Sequence, residues 1–409
     1  MNRLLVPAGV GIIAVAFGLA RYGYGLLLPD MRASLGIDLS TAGLIGSSAY
    51  LSYLLANTAV VPLTVRTGPR LPLALATASA VGGMLLIAAA QDAGGLAAGV
   101  LLAGASAGFA YPPYADVVAG GVPVARQSTV WATISSGTGW GVAVAGPIAV
   151  LSGAGWRTSW LVFAGVAAAV GVVAVASVPG GRMSGAASTV RLRPRWFLCP
   201  RSRPLLLAAV GVGVGSSIWW SFCVDAMRDA GVGATTARLV YAGCGAAGVL
   251  ASLTGVLVQR TGQRRAHQAT VLGVAASLAL LAVLTGAAAA VGAHLAPPVT
   301  TALVVLAAVT FGVTYNGVVA VQGMWSAAVF AERPSAGLAA VNTSLTVGTL
   351  VGPALGGFVI ALSGYGPALA LAALLTALAL PLAPPAPAAA RTARSAVETG
   401  SVRTNASTG

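Results

Sequence analysis

Apolar residues dominate this chain in runs of about 20, and short polar or Gly- and Pro-rich breaks separate the runs. A helix of about 20 residues crosses the roughly 30 Å hydrocarbon layer of a bilayer. The alternation of apolar and polar residues that is typical of strands is nowhere sustained. The pattern therefore predicts an all-α polytopic membrane protein with twelve transmembrane helices, at residues 4–28, 41–63, 71–91, 94–119, 127–152, 157–178, 204–226, 234–258, 267–293, 299–324, 336–361 and 365–383.

The first apolar run has no clear cleavage site after it, and eleven more runs follow. We therefore expect it to be the first helix and not a removable signal peptide. A basic linker at residues 179–203 separates six spans from six, so we expect six-helix bundles at 1–178 and 204–383. The tail at 384–409 has too little apolar bulk to pack and is expected to be disordered.

Composition supports a membrane protein, because 57% of the residues are hydrophobic and 7% are charged, with a mean hydropathy of +0.89. All 22 basic residues are arginines. Seventeen fall on one side of the predicted spans, and only Arg32, Arg157, Arg228 and Arg238 fall on the other. By the positive-inside rule we expect a multi-pass protein of the cell membrane with both termini in the cytoplasm. The net charge of +14 is then explained by topology and anionic lipid, and no nucleic-acid partner is expected.

The two halves of the chain resemble each other. "VRTGPR" at 65–70 matches "QRTGQRR" at 259–265, and "GFAY" at 108–111 matches "GVTY" at 312–315. "PDMR" at 29–32 echoes "DAMR" at 225–228, which places Asp30 and Asp225 in corresponding positions. Two copies of a six-helix unit in the same orientation predict two bundles related by an axis along the membrane normal.

Two motifs carry a resemblance to a known family. "GVLVQRTGQRR" at 255–265 resembles the inter-helix loop signature of the major facilitator superfamily, G-x-L-x-D-R-x-G-R-R, and "GTLVGPALGG" at 348–357 resembles the helix motif of its antiporters. The resemblance implies a transporter with two six-helix bundles, a cavity lined by helices 1, 4, 7 and 10, and alternating access. The chain is most similar to an incompletely characterised bacterial branch, so the resemblance indicates the fold more firmly than the substrate.

The chain departs from the family pattern at three places. The aspartate of the loop signature is replaced by Val65 and Gln259, the arginine expected on helix 4 is Val100, and the antiporter motif lies on helix 11 instead of helix 5. These departures weaken any proton relay taken over from drug antiporters. The residues that we assign to a conformational helix motif are Gly146, Pro147, Gly348, Gly352, Pro353, Gly356 and Gly357.

Arg21 is the most unusual residue of the first span, "FGLARYGYGLLLPDM" at 17–31. It shares a helix face with Ala14, Gly18 and Gly25, and such a face of small residues fits a helix contact or a cavity wall. It lies about 7 Å beyond the middle of the predicted span. Snorkelling to the interface therefore stays open beside the hypothesis that Arg21 binds an anionic group of the substrate.

Further substrate-binding candidates come from the helices that the resemblance places around the cavity. Aromatic rings with amide donors suit an amphipathic organic solute of moderate size. Packing and interhelical hydrogen bonds are the alternative roles of these side chains, and we interpret Tyr50, Tyr53 and Asn57 as packing residues. The candidates are Tyr24, Tyr111, Tyr114, Trp219, Trp220, Tyr315, Asn316 and Gln322.

Few side chains could carry a proton, because the chain has only eight acids. Asp116 is our best single candidate for protonation, and Asp30 and Asp225 are candidates for an outer gate with partners across the two halves. Arg260, Arg264 and Arg265 are candidates for gating or for anchoring a loop to lipid phosphate.

The sequence favours a secondary transporter that works by alternating access, with proton-coupled export of a small organic or drug-like molecule as the first hypothesis. Proton-coupled uptake of an organic anion and a non-transporting receptor are the alternatives. An enzyme is not expected, because no clustered His, Glu or Asp motif is present, and an ATP-driven pump lacks its phosphate loop. We expect a monomer in the lipid bilayer with a small-molecule substrate, with no metal and no cofactor, energised by the proton gradient.

Overall fold

The computed structural model describes residues 4–153, 155–181, 200–291, 296–331 and 334–384. In these residues eleven helices are long and apolar enough to cross a membrane, and a twelfth, shorter apolar helix follows them. The predicted fold class of twelve helices is therefore confirmed. The helices are α1 Leu5–Leu35, α2 Leu39–Thr67, α3 Arg70–Ala89, α4 Ala93–Gly121, α5 Val124–Leu151, α6 Trp156–Ser177, α7 Arg203–Asp229, α8 Ala234–Thr261, α9 Gln263–Val291, α10 Pro297–Val329, α11 Pro334–Ser363 and α12 Tyr365–Ala377.

Helix ends follow local chemistry and not the end of the apolar run. α1 continues seven residues past the predicted end at residue 28 and stops at Gly36, whose φ of 65° is the left-handed conformation that glycine adopts easily. Asp38 caps α2 by accepting hydrogen bonds from the backbone N–H and the hydroxyl of Thr41, and these bonds hold the pKa of its carboxyl below the usual range. α12 ends at Ala377, before the predicted residue 383, and Pro381 has no N–H to donate to the carbonyl of Ala377.

The two repeated loop motifs adopt the same local structure. α2 ends at Gly68 and α8 ends at Gly262, with φ angles of 79° and 80°. In each loop the preceding threonine, Thr67 or Thr261, donates a hydrogen bond to the carbonyl four residues earlier. The linker residues 182–199 and the tail residues 385–409 lie outside the described residues, so the predicted domain boundaries stay predictions.

Within the part of the chain that the structure describes, three helices contain irregular turns. α1 has a π-helical segment at Ala14–Leu19, α5 is interrupted at Ser136, and α8 has a 3-10 segment at Gly248–Leu253. These breaks free backbone groups in the membrane, which is tolerated where protein or a wet cavity surrounds them. All three helices belong to the region where the two halves meet.

Candidate functional site

A cavity of about 190 Å³ lies between the two halves. Helices α1, α2, α4 and α5 line it from the first half, and α10 and α11 line it from the second. Its walls carry one arginine, four tyrosines, hydroxyls and amides, and none of the lining residues is a carboxylate. The lining is Phe17, Arg21, Tyr22, Tyr53, Tyr111, Ser135, Thr138, Tyr315, Asn316, Val319, Asn342, Leu345, Thr346 and Thr349.

Arg21 follows the π-helical segment of α1. The N–H groups of Ala20 and Tyr22 donate to carbonyls five residues earlier, at 2.9 and 3.0 Å. Such a π-turn is frequent at functional sites because it re-aims the side chains that follow it. Since α1 extends to Leu35, Arg21 lies one residue from the middle of the helix, and not about 7 Å beyond it as the shorter predicted span implied. Its guanidinium lines the cavity instead of reaching the membrane interface.

Aromatic faces surround the guanidinium of Arg21. Its central carbon lies 4.2 Å from the ring centroid of Tyr50 and 4.6 Å from that of Tyr53, with Phe17 and Tyr22 at 5.6 and 5.9 Å. Arg21 is only 9% exposed, its Nε has no hydrogen-bond partner, and no carboxylate of the described residues pairs with it. Ring faces stabilise a cation without neutralising it. The site therefore retains an uncompensated positive charge at the cavity wall.

The structure brings some of the predicted binding residues together with Arg21. Tyr111, Tyr315 and Asn316 line the cavity. Tyr53, interpreted from the sequence as a packing residue, lines it as well, because the face of α2 that carries Tyr53 turns toward α1.

Five other predicted binding residues do not line the cavity. Tyr24 donates a hydrogen bond to the carbonyl of Ala42 between α1 and α2, at 2.7 Å. The remaining four are also buried in helix packing: Tyr114 near Ser177, Trp219 stacked on Phe311, Trp220 stacked on Tyr22, and Gln322 at 1% exposure. Trp220 lies directly behind the cavity wall, since Tyr22 separates the two.

Sequence reasoning missed the polar face of α11. Asn342, Thr346 and Thr349 follow one another at spacings of four and three, so they share a helix face, and all three line the cavity. Ser135 and Thr138 of α5 flank the interruption of that helix. The helical spacing of polar residues within an apolar span was the signal that could have identified the α11 group.

Ion pairs join the two halves at the Asp30 end of the molecule. Asp30 accepts from Arg228 at 3.1 Å and from Arg238 at 2.7 Å. Asp225 accepts from Arg32 at 2.7 Å. The sequence pointed to partners across the halves for both acids, and it offered no signal for Arg238, which also donates to two carbonyls of the first half.

Close helix contacts reinforce this end. The backbone N–H of Ala354 on α11 donates to the hydroxyl of Ser47 on α2, and Tyr241 on α8 donates to the carbonyl of Tyr22. Near the opposite end, the segment Val124–Ser135 of α5 buries only Ile134, which indicates that α5 packs loosely there. The halves are thus held together at the Asp30 end and are less tightly packed on the other side of the cavity.

The helix-motif glycines lie at helix contacts. β-carbons built at Gly348, Gly352 and Gly356 would lie within 3.0 Å of atoms of α7, whereas one at Gly357 would meet α2 at Gly43. Small residues permit such close approach between membrane helices. Pro353 also faces α2, Gly146 contacts α8 at Ala242, and Pro147 is exposed.

The remaining predicted residues lie away from the cavity lining. Asp116 is exposed on α4, and Arg260, Arg264 and Arg265 are exposed at the loop between α8 and α9. Their proposed roles in proton coupling or gating stay predictions.

The family model of the Major Facilitator Superfamily matches residues 10–295. A chloramphenicol resistance protein of Streptomyces lividans is 30% identical over 298 residues, which cover 68% of this chain and 71% of that protein.

Solved structures share the same architecture. The nucleoside transporter NupG superposes with a TM-score of 0.75 at 13% identity, covering 92% of this chain and 98% of that one. A bacterial homologue of the human lysosomal transporter Spinster, in an inward-facing and unoccupied conformation, superposes with a TM-score of 0.69 at 15% identity, covering 93% and 95%. At such low identity these likenesses show the fold alone.

Proposed function

This chain belongs to the Major Facilitator Superfamily of membrane transporters, and we propose that it exports a small organic molecule with an anionic group in exchange for protons. The observation that carries the proposal is the uncompensated guanidinium of Arg21 at the wall of a cavity between the two halves. A charge in the membrane interior is costly unless it meets water, an acid or a ligand. An anionic substrate group would supply the missing partner.

The cavity walls complement such a substrate. The guanidinium is a planar fork of donors that binds carboxylates in a bidentate manner. Asn316, Asn342 and Thr346 offer amide and hydroxyl groups from the second half. A substrate held by Arg21 on one side and by these neutral groups on the other would contact both halves, as alternating access requires.

The ion pairs at the Asp30 end provide the gate in this proposal. When the pairs of Asp30 and Asp225 break, α1 and α7 separate and the cavity opens toward that end. If that end faces the cell exterior, as the arginine distribution predicts, the structure corresponds to a state closed to the outside.

The Streptomyces relative is named as a chloramphenicol resistance protein, which supports export of a small organic compound. Because the lining residues include no carboxylate, protons would act on Asp30, Asp225 or Asp116 and not compete directly with the substrate at Arg21. Protonation of a gate carboxylate would weaken its arginine pairs and favour opening.

Proton-coupled uptake of a small organic anion is the second candidate, and the charge of Arg21 favours it equally. A screen of organic anions and drug-like compounds in everted vesicles with an imposed pH gradient separates the two directions. We expect accumulation of an anionic compound in everted vesicles, abolished when the pH gradient is collapsed. Loss of the compound from these vesicles would instead favour uptake.

Substrate counterflow in proteoliposomes tests transport itself. Exchange of labelled for unlabelled substrate is expected from a carrier at zero pH gradient. A protein that binds the compound but shows no counterflow would overturn the proposal in favour of a receptor.

A further inference from the structure

An apolar groove of about 680 Å³ runs along the outer surface of the first half, between α3 and α6. Nine of its ten lining residues are Ala, Gly, Val or Thr, and the tenth is Arg70. The lining positions follow spacings of four, three, one and three on α3 and of three, one, three and one on α6, so one continuous face of each helix forms a wall. Small side chains such as Ala78 and Ala176 keep the groove open to the surroundings of the protein.

The groove is about as long, measured along α3, as one leaflet of a bilayer is thick. It extends along α3 from Arg70 to Val81, which is about 16 Å at 1.5 Å per residue. Half of the hydrocarbon core of a bilayer is about 15 Å. Arg70 is the first residue of α3, at the start of the apolar span, so we expect its charge at the level of the lipid headgroups.

The hydrogen bond that Arg70 makes to the end of α6 does not require its positive charge. Its Nε donates to the carbonyl of Val178 at the end of α6, at 3.0 Å. In the second half the neutral Gln268 makes the corresponding tie between α9 and the end of α12, by donating to the carbonyl of Leu380 at 3.5 Å. Arg70 is exposed and forms none of the ion pairs found among the described residues. Its Nη1 lies beside the backbone of Gly180, and its exposed guanidinium has no carboxylate in the described part of the chain to oppose an incoming anion.

We propose that this groove binds one anionic phospholipid, with its phosphate on the exposed guanidinium of Arg70 and an acyl chain lying between α3 and α6. Arginine forms charge-assisted hydrogen bonds with phosphate. A headgroup without a compensating ammonium adds a net attraction to the cation. The apolar walls of the groove complement the acyl chain, and the guanidinium of Arg70 complements the phosphate of the headgroup.

Native mass spectrometry of the full-length protein tests the proposal, with phosphatidylglycerol or phosphatidylcholine of identical chains added to delipidated protein. Wild type is expected to retain phosphatidylglycerol about fivefold better than phosphatidylcholine. Arg70→Gln keeps a donor for Val178, as Gln268 does in the other half, and is expected to abolish the preference. Ala78→Phe fills the groove from its exposed side and is expected to reduce retention of both lipids.

Arg126→Gln, which removes an exposed arginine that does not line the groove, is the matched control and is expected to keep the preference. Melting temperatures in lipid-free detergent establish that the variants fold. Equal retention by wild type and both groove variants would overturn the site. An equal loss in Arg126→Gln would show attraction by diffuse surface charge, and a dimer that excludes lipid from the groove would assign this face to a second copy of the chain.

Discussion

Helices α1 and α7 occupy corresponding positions in the two halves, yet they differ where they pass the cavity. α1 contains a π-helical segment followed by Arg21, whereas α7 is one continuous helix from Arg203 to Asp229. The position displaced by 195 from Arg21, as Asp225 is from Asp30, is Ser216, whose hydroxyl bonds within its own helix. Among the described residues that line the cavity, the charged side chain therefore comes from the first half.

The same two helices are nearly symmetric at the gate, where each contributes an aspartate and an arginine. The symmetry is broken by Arg238, which gives Asp30 two arginine partners, whereas Asp225 has one arginine partner, Arg32, among the described residues. In the proposed mechanism, duplication supplies the two halves and the acids of the gate, whereas Arg21 in the first half alone supplies the charge for substrate recognition.

Blocking the approach of α1 to α7 is expected to have the largest effect. A β-carbon at Gly25 would lie 2.9 Å from the carbonyl carbon of Trp220 and closer still to its oxygen. Because the obstacle is backbone, Gly25→Val should lower the population of the closed state roughly 100-fold and stop transport. Gly165→Val on α6, where nothing lies within 4 Å of the added carbon, is the control, and equal transport rates of the two variants would contradict the mechanism.

Removal of the charge of Arg21 is expected to have the second largest effect. Arg21→Ala should reduce kcat/KM for an anionic substrate about 10- to 100-fold, since hydrogen bonds to a charged group contribute about 1.5 to 3 kcal/mol. Arg21→Lys should retain part of the activity because it keeps the charge but loses the planar fork. The exposed Arg126→Ala is the control. Unchanged flux and substrate range in Arg21→Ala would remove this residue from the site.

The gate should respond unequally to loss of its two acids. Asp30→Asn weakens two arginine contacts and Asp225→Asn only one, and partly exposed pairs contribute up to about 1 kcal/mol each. We expect opening at this end to increase roughly tenfold and threefold, respectively. Reaction of the buried Cys223 and Cys244 with a membrane-impermeant maleimide, in a Cys199→Ser background, measures this opening. A larger effect of Asp225→Asn would reverse the assigned asymmetry.

Substitution of an aromatic ring beside Arg21 should have the smallest effect on transport. Tyr53→Phe keeps the ring face 4.6 Å from the guanidinium and is expected to change transport less than about twofold, whereas Tyr53→Leu should lower it about three- to tenfold. Transport assays with both variants compare the ring with its hydroxyl. If Tyr53→Phe is as impaired as Tyr53→Leu, the hydroxyl and not the ring face contributes to the site.

The fold followed from the sequence to a large extent, and the site only in part. Apolar runs identified the twelve helices, but their ends were missed where polar residues such as Asp30 and Arg32 continue a helix. Arg21, Tyr111, Tyr315 and Asn316 could be proposed from their chemistry within apolar spans. Other aromatic candidates failed to reach the cavity, since an aromatic side chain packs in a helix interface as readily as it lines a binding site.

By itself the sequence determined the membrane environment, the number of helices, the duplication and the presence of a rare charge in a span, because these depend on composition and on periodicity along one helix. Only the tertiary structure decided that Tyr50 and Tyr53 enclose Arg21, that α11 replaces α7 in the cavity lining, and that Arg238 joins the pair at Asp30. Those contacts depend on the rotation and approach of helices that are distant in the chain, and small residues such as Gly25 and Gly357 permit that approach without revealing its partner.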